Sequence, residues 1–373
     1  MDRILRIDRV LTNERAPVRE NLAVQQFEHR GLRLVVILPA LNEEATIAQV
    51  IDRIPRKLDG FDEVLPLVVN DGSTDNTVEL SLEAGAAVVS HPENMGVGVA
   101  FATGIERALQ MGADIIVNMD SDGQFRPEDI PTLVRPIVEK NFGFVTCTRF
   151  GDRQNLPKMP AIKLWGNRRM CNLINWITGK QFTDVSCGFR AYSRETALRM
   201  TLFGKFTYTQ ESFIDLASKG IAMCEVPLVV RGEREFGKSR VASNLWRYAI
   251  QSSRIIARAM RDTQPLLFFG SVAILLLLIA TASFGFVGGH WLLTGQTSPW
   301  TSLLFVGTAS SMLGGVTAVL ALVADQIGRG RIIQEHLLFY ARRQSLETEP
   351  LGGATERINL PVRSVKGSSD QVR

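Results

Sequence analysis

From Thr263 to Ala324 the chain carries no Asp, Glu, Lys or Arg. Two apolar runs, 266–288 and 300–324, lie inside that gap, and residues 289–299 between them hold no Lys or Arg. As a helix the first run extends about 34 Å, enough to cross a bilayer's hydrocarbon layer. Arginines crowd the outer ends: Arg254, Arg258 and Arg261 before, and Arg329, Arg331, Arg342 and Arg343 after. The positive-inside rule then puts both termini on the cytoplasmic side and the loop at Gly289 on the other. The competing reading, a buried hairpin of a soluble protein, does not account for that charge asymmetry. Gly314-Gly315 and Ser310-Ser311 would allow close helix contact or a homo-oligomer through the membrane helices.

The rest of the chain must therefore supply a soluble domain. From Leu32 the sequence alternates strand-like and helix-like stretches. Strands are expected at 33–38, 67–69, 87–89, 115–117 and 144–148, with helices at 45–54, from about 75 to 84, at 98–111 and at 127–140. Arg33-Leu-Val-Val-Ile-Leu38 has almost no polar interruption, as suits the centre of a parallel sheet. Such alternation predicts an α/β, Rossmann-like, mostly parallel sheet. After Phe150 the alternation loosens. A helix is expected at 164–176, a loop at 184–190, a helix at 211–218 and a strand at 222–226.

Ligands of such sheets bind beyond the carboxyl ends of the strands. Three of those ends carry polar, turn-rich clusters: Pro39-Ala40-Leu41-Asn42-Glu43, Asn70-Asp71-Gly72-Ser73 and Asp120-Ser121-Asp122. Alternation along an extended segment would point Asp120 and Asp122 the same way. Two like charges aimed at one spot repel unless a cation or protons lie between them. Mg2+ commonly binds through one or two carboxylates plus substrate phosphates. An isolated Asp-x-Asp is more often a polar turn, but the convergence of three strand ends favours a metal handle for a diphosphate. Gly96-Val97-Gly98 does not make a dinucleotide loop, because Phe101 stands where the third small residue belongs.

Other features bound the remaining classes. A net charge of +4 over 373 residues gives no bulk reason for a nucleic-acid partner. Arg247, Arg254, Arg258 and Arg261 fall on one face of a helix over 241–262, next to the apolar run, and read as a membrane-surface element. Cys147, Cys171, Cys187 and Cys224 are widely spaced and form no zinc pattern, so reduced, mostly buried thiols are expected. No Ser-His-Asp or Cys-His set is evident, and His29, His91 and His336 lie outside the expected strand-end site. The N-terminal segment, 1–31, is polar and lacks the apolar core of a cleavable signal. The tail from Ser345 is polar and reads as disordered.

Taken together, these motifs resemble the family-2 GT-A glycosyltransferases, and within them the polyprenyl-phosphate group related to dolichyl-phosphate mannose synthase and GtrB. The resemblance runs from about Leu34 to Arg240 and on into the two-helix tail. It rests on Pro39-Ala40-Leu41-Asn42-Glu43, Asp71-Gly72-Ser73, Asn94-Met95-Gly96 with Gly98, and Asp120-Ser121-Asp122-Gly123-Gln124. Cys187-Gly188-Phe189-Arg190 and Arg234 with Gly237-Lys238-Ser239 complete it. It implies a nucleotide-diphosphate sugar as donor, a polyprenyl phosphate as acceptor, membrane lipids as surroundings, and Mg2+ or Mn2+ as cofactor. Pro39, Ala40, Asn42, Glu43, Asp71, Gly72, Ser73 and Ser121 would then line the nucleotide-sugar site. Asp122 becomes the main metal ligand, with Asp120 and Gln124 beside it. Arg234 and Lys238 would contact donor phosphates, Arg149 the acceptor phosphate, and Glu211 would be an active-site acid. Lys163 and Asn167 stand where the dolichyl-mannose enzymes carry Arg and Ser for that phosphate, a departure in which Lys163 keeps the charge.

The domains expected are thus 1–31, a catalytic domain over 32–240, a basic interface helix over 241–262, two membrane helices within 263–326 and a cytoplasmic tail over 327–373. Two alternatives share the fold. A processive polysaccharide synthase carries Gln-x-x-Arg-Trp, and here Gln251-Ser252-Ser253-Arg254 is followed by Ile255, which breaks the match. A non-catalytic nucleotide-sugar-binding protein would keep the fold without the chemistry.

Overall fold

The computed structural model describes residues 31–151, 161–201, 208–230, 257, 260–261 and 264–348. The N-terminal segment, the loop carrying Arg234 and Lys238, most of the basic helix with Arg247, Arg254 and Arg258, the Gln251 to Arg254 stretch and the tail beyond 348 lie outside the described residues.

Seven strands form one sheet: β1 (Leu32–Ala40), β2 (Phe61–Asn70), β3 (Ala87–Ser90), β4 (Ile115–Asn118), β5 (Phe144–Thr148), β6 (Arg190–Ser193) and β7 (Met223–Pro227). Their order is β3-β2-β1-β4-β6-β5-β7. The left half, β3 to β4, is wholly parallel. β6 runs antiparallel between β4 and β5, and β7 returns parallel to β5. The sheet is mixed because of one short strand, β6, that sequence reasoning leaves unassigned beyond the end of its expected loop at Arg190. Its four residues, Arg-Ala-Tyr-Ser, make no apolar run.

β1 is central and buried on both faces. Val35 and Ile37 enter one core cluster, and Leu34, Val36 and Leu38 enter the other. This is why its sequence is continuously apolar rather than alternating with polar residues. The helices are α1 (Ile47–Asp52), α2 (Thr77–Glu83), α3 (Val97–Gln110), α4 (Ile130–Lys140), α5 (Ala161–Thr178), α6 (Arg194–Arg199) and α7 (Thr209–Ser218). A 3-10 turn, Pro127–Asp129, leads into α4 with proline and two acids at its start. All four cysteines are free thiols, three of them buried.

Beyond the sheet stand α8 (Pro265–Thr294) and α9 (Thr301–Thr348). Both are long and apolar enough to cross a membrane. Their large side chains are turned outward: Leu275 is 59% exposed, Phe305 78% and Met312 75%. That is the reverse of a hairpin buried in a soluble core. Gly307 packs on the Phe284 ring and Gly314 on Leu277, so these small residues serve contact within the hairpin, while nothing covers Gly315. α9 does not stop at the end of its apolar run. It continues without a break to Thr348, about 72 Å in all. Its last turns reach the sheet domain, where the Arg342 guanidinium donates to the Met200 carbonyl at 2.9 Å.

Candidate active site

Three loops leave the carboxyl ends of the neighbouring strands β2, β1 and β4 and are stitched together. The Asn42 amide donates to Ser73 Oγ at 2.9 Å, and the Thr74 amide donates to Asn42 Oδ1 at 2.7 Å. The Glu43 amide donates to Thr77 Oγ1 at 2.9 Å. Asn42 takes a left-handed backbone, φ 52°, which asparagine tolerates better than most residues. On the other side, Ser121 Oγ donates to the Pro39 carbonyl at 2.9 Å, and Thr46 Oγ1 donates to the Ser121 carbonyl at 2.8 Å. The three clusters singled out from sequence therefore form one rim.

The carboxylates at its centre differ from the extended alternation expected. β4 ends at Asn118, and residues 121–123 bend, with Gly123 at φ 74°. Asp122 is buried, and its Oδ1 accepts from the Gln124 amide at 3.1 Å. Asp120 is half-buried and lies against Gly188. A Cβ built on Gly188 would stand 3.0 and 3.1 Å from the two Asp120 carboxylate oxygens. Asn118 Nδ2 donates to the Gly188 carbonyl at 2.9 Å and to Tyr208 Oη at 2.6 Å, fixing that glycine from behind. An alanine at 188 would thus press on the Asp120 carboxylate.

Asp71 is 4% exposed, and its carboxylate holds the neighbouring loop. Oδ1 accepts from the Met95 amide and Oδ2 from the Gly96 amide, each at 2.9 Å. Oδ1 also meets His91 Nδ1 at 2.8 Å, and His91 Nε2 lies 3.0 Å from Thr103 Oγ1. Burial pushes the Asp71 carboxyl up, but the bonds from His91, Met95 and Gly96 outweigh it and leave it below the usual carboxylate range. Gly72, at φ 78°, has the Glu93 and Asn94 backbone within 2.6 to 2.8 Å of any added Cβ. His91 is therefore part of the rim and not outside it as expected. The sequence signal available was its place directly after β3, the next strand end in the series.

A second constellation stands at the end of β5. Arg149 binds Asp184 through two bonds, Nε to Oδ2 at 2.6 Å and Nη2 to Oδ1 at 2.9 Å. Its Nη2 also donates to Ser186 Oγ at 2.9 Å, and Ser186 Oγ donates to Asn167 Oδ1 at 2.8 Å. Arg149 and Asn167 thus share one network. Burial pulls the Arg149 guanidinium down, but the bond and charge of Asp184 hold it above its ordinary value, so it stays cationic. Glu225 of β7 fastens the loop by accepting from the Thr183 and Asp184 amides at 2.8 and 2.9 Å. Lys163 lies in the first turn of α5, and its side chain is outside the described ones. Glu211 lies half-buried in the first turn of α7.

Between the two constellations lies a residue the sequence motif named without a role. Arg190 is fully buried. Nε donates to the Cys187 carbonyl at 2.7 Å, and Nη1 donates to the Thr209 carbonyl and Ser212 Oγ at 2.9 and 2.6 Å. Its guanidinium lies 4.8 Å from the Phe213 ring centre and faces Phe144 and Tyr208 as well. It joins the loop that carries Gly188 to the helix that carries Glu211.

The carboxylates at the centre of the rim, Asp120 and Asp122, offer hard oxygens, which suit Mg2+ or Mn2+ rather than a softer metal. Among the described residues no group of three or more His, Cys, Asp or Glu comes together. Two carboxylates leave most positions of an octahedral cation to diphosphate oxygens and water. The donor set therefore fits a cation that arrives with its substrate.

Comparisons with known proteins find relatives across the sheet domain. The sequence model of glycosyl transferase family 2 matches residues 35–199, from β1 to the end of α6. An uncharacterised protein of Methanocaldococcus jannaschii is 35% identical over 199 residues, covering 52% of this chain and 80% of its own. The UDP-N-acetylglucosamine–dolichyl-phosphate N-acetylglucosaminyltransferase of Methanococcus voltae is 30% identical over 178 residues, 43% of this chain and 69% of its own. Polyprenol monophosphomannose synthase of Mycolicibacterium smegmatis is 27% identical over 228 residues, 58% and 84% respectively. The matched stretch holds the strands whose ends build the rim, and the chain belongs to glycosyl transferase family 2 as a glycosyltransferase of GT-A fold.

Proposed function

We propose that the protein moves a sugar from a nucleotide-diphosphate sugar to a polyprenyl phosphate in the membrane, giving a lipid-linked monosaccharide. The observation that carries this reading is the joining of Asp120 and Asp122 to the Asn42 and Asp71 loops on a domain attached to two apolar helices. Relatives named for dolichyl-phosphate and polyprenol-phosphate acceptors support it. α5 supports it too. Trp165 and Trp176 stand more than half exposed on its outer face, and Arg169 lies over the Trp165 ring. Its Ile177 carbonyl accepts from Gln264, the residue before α8. The Arg149 network therefore sits close to where the chain enters the bilayer. α8 and α9 cross the membrane, with the catalytic domain and both termini on the cytoplasmic side, as the arginine bias indicates.

The loops at Pro39, Ala40, Asn42, Glu43, Gly72 and Ser73 hold the nucleotide, with Asp71 keeping the 94–96 segment in place. Asp120 and Asp122, with Gln124 beside them, hold Mg2+ or Mn2+. When bound, that ion acts as a Lewis acid on the leaving diphosphate. Arg149, with Lys163 and Asn167, receives the acceptor phosphate, and Arg234 and Lys238 reach the donor phosphates. A phosphate oxygen of the acceptor forms a bond to the anomeric carbon. The bond from that carbon to the diphosphate oxygen breaks, its electron pair leaves with the nucleoside diphosphate, and configuration inverts. The nucleophile is already an anion near neutral pH, so little proton abstraction is required of Glu211 or any other residue.

The test incubates membranes holding the protein with a panel of radiolabelled UDP- and GDP-sugars and follows label into organic solvent. One donor should label a single lipid-linked sugar. Asp122→Asn should lower that transfer by about a hundredfold or more while the purified protein keeps its melting temperature. Labelling of a polymer, or undiminished turnover by Asp122→Asn in metal-replete buffer, would overturn the reading.

A further inference from the structure

Arg149 is the first residue after β5, and three of the five N–H donors of its guanidinium are used within the protein. Nε and Nη2 grip the two oxygens of Asp184, and Nη2 also reaches Ser186 Oγ. No described residue accepts from Nη1. The Arg149 side chain is 22% exposed and that of Asp184 0%, so the guanidinium is clamped on its inner edge and open beyond it. The clamp is itself fixed. Ser186 donates its amide to Asp184 Oδ1 at 3.1 Å. Glu225 accepts from the Thr183 and Asp184 amides, and from Thr183 Oγ1 at 3.0 Å. Glu225 in turn stands opposite Thr146 in the parallel pairing of β7 with β5. Contacts therefore run from β5 through Arg149, Asp184 and Glu225 back to β5, a closed circuit that leaves the arginine little freedom.

This arrangement is a poor way to attract an anion. A carboxylate 2.6 Å from the guanidinium cancels much of its pull on a third charge farther away. It is a good way to aim one. An arginine side chain without a partner gives up much rotamer freedom when it binds, and a group ordered beforehand keeps that loss out of the affinity. With Nε and Nη2 engaged, Nη1 is the end left for a ligand, and phosphate oxygens are its natural acceptors. We propose that Asp184 and Glu225 are positioning residues for the acceptor. Glu225 sets the 183–184 backbone, Asp184 sets the guanidinium, and Nη1 of Arg149 is thereby presented to the phosphate of the polyprenyl chain. The inference rests on the reading of Arg149 as the residue that receives that phosphate.

Calorimetry of the full-length protein in neutral detergent measures its affinity for farnesyl phosphate, with farnesol as the phosphate-free control. UDP or GDP with Mn2+ reports the donor site in parallel. Wild type should bind farnesyl phosphate roughly tenfold more tightly than farnesol, and Arg149→Gln should lose that preference. Asp184→Asn removes a negative charge beside Arg149, so a purely electrostatic role for the carboxylate would tighten farnesyl phosphate binding. Positioning requires the opposite, a loss of roughly tenfold with nucleotide affinity unchanged. Because Asp184→Asn leaves a buried cation without its partner and can unfold the protein, Glu225 supplies a second arm. Glu225→Ala should weaken farnesyl phosphate binding, and Glu225→Gln, which keeps one oxygen for the two amides, should recover part of the loss. In the labelled-sugar assay these variants should raise the KM for polyprenyl phosphate, while kcat and the donor KM stay within about twofold. No preference in wild type, or its retention by Arg149→Gln, would remove the acceptor reading itself and the proposal with it. If Arg149→Gln loses the preference but Asp184→Asn binds more tightly, or Glu225→Ala binds unchanged, the acceptor reading stands and the positioning proposal alone is overturned.

Discussion

Gly188 sets how the centre of the rim can be tested without touching a carboxylate. Its missing side chain leaves Asp120 where it is, because an added Cβ at 3.0 Å forces the carboxylate to shift by a few tenths of an ångström. Gly188→Ala should therefore lower transfer by roughly tenfold to a hundredfold, the usual consequence of misplacing a reacting constellation. The activating metal concentration should rise with it, and the circular dichroism spectrum should not change. Asp71 answers to pH instead. Its folded carboxyl lies below the usual carboxylate range, so its contribution to stability is complete above that range and is lost as pH falls through the folded value. Melting of wild type and Asp71→Asn between pH 6 and pH 3 should show a steeper acid loss in wild type. Asp120, Asp122, Asn42 and Ser73 were legible in the sequence because each follows an apolar strand within a few residues. His91 was not. Its partner lies twenty residues away across β3, and no local pattern tells a strand-end histidine that holds a carboxylate from one that faces water.

At the scale of elements, the parallel half of the sheet could be read because β1 and β4 are continuous apolar runs. β2 is longer than its apolar stretch suggests, since its first residues, Phe61 to Glu63, pair with the half-buried beginning of β1. β6 escaped because it begins with an arginine. Only the folded core explains why that charge can be buried: oxygens of Cys187, Thr209, Ser212 and Val185 accept its N–H groups and three aromatic rings flank it. No carboxylate among the described residues pairs with it. Arg190→Met should leave several of those acceptors unsatisfied and cost on the order of 3 kcal/mol. Denaturant melts would read that loss. Lysine cannot reproduce a planar fork of donors, so Arg190→Lys should recover only part of it.

For the whole molecule, what matters is how the domain that carries the rim is joined to the two apolar helices. The apolar run of α9 ends at Ala324, and from sequence the span ends with it. The helix continues because the charges that follow are spaced to support it, with Asp325 and Arg329, Arg331 and Glu335, and Arg343 and Glu347 paired one turn apart. Its last turns then dock on α6. Arg342 donates to the Met200 carbonyl at 2.9 Å, and Arg199 lies over the Phe339 ring. Phe339 and Leu346 pack against the same core cluster as α3, the helix whose first turn stands beside Asp71. One helix thus links the apolar hairpin to the layer of the domain formed by α3 and α6. If that link sets the height of the rim, loosening it should separate two activities that a damaged catalytic centre would lose together. Phe339→Ala with Arg342→Ala should leave nucleotide binding, measured by calorimetry, within about twofold of wild type. Transfer to a long-chain polyprenyl phosphate in proteoliposomes should fall about tenfold, and transfer to a short, detergent-dispersed analogue should fall far less, because that acceptor can reach the rim by diffusion. An equal fall with both acceptors would mean that the docked helix supports the catalytic domain's own fold and does not set its height above the membrane.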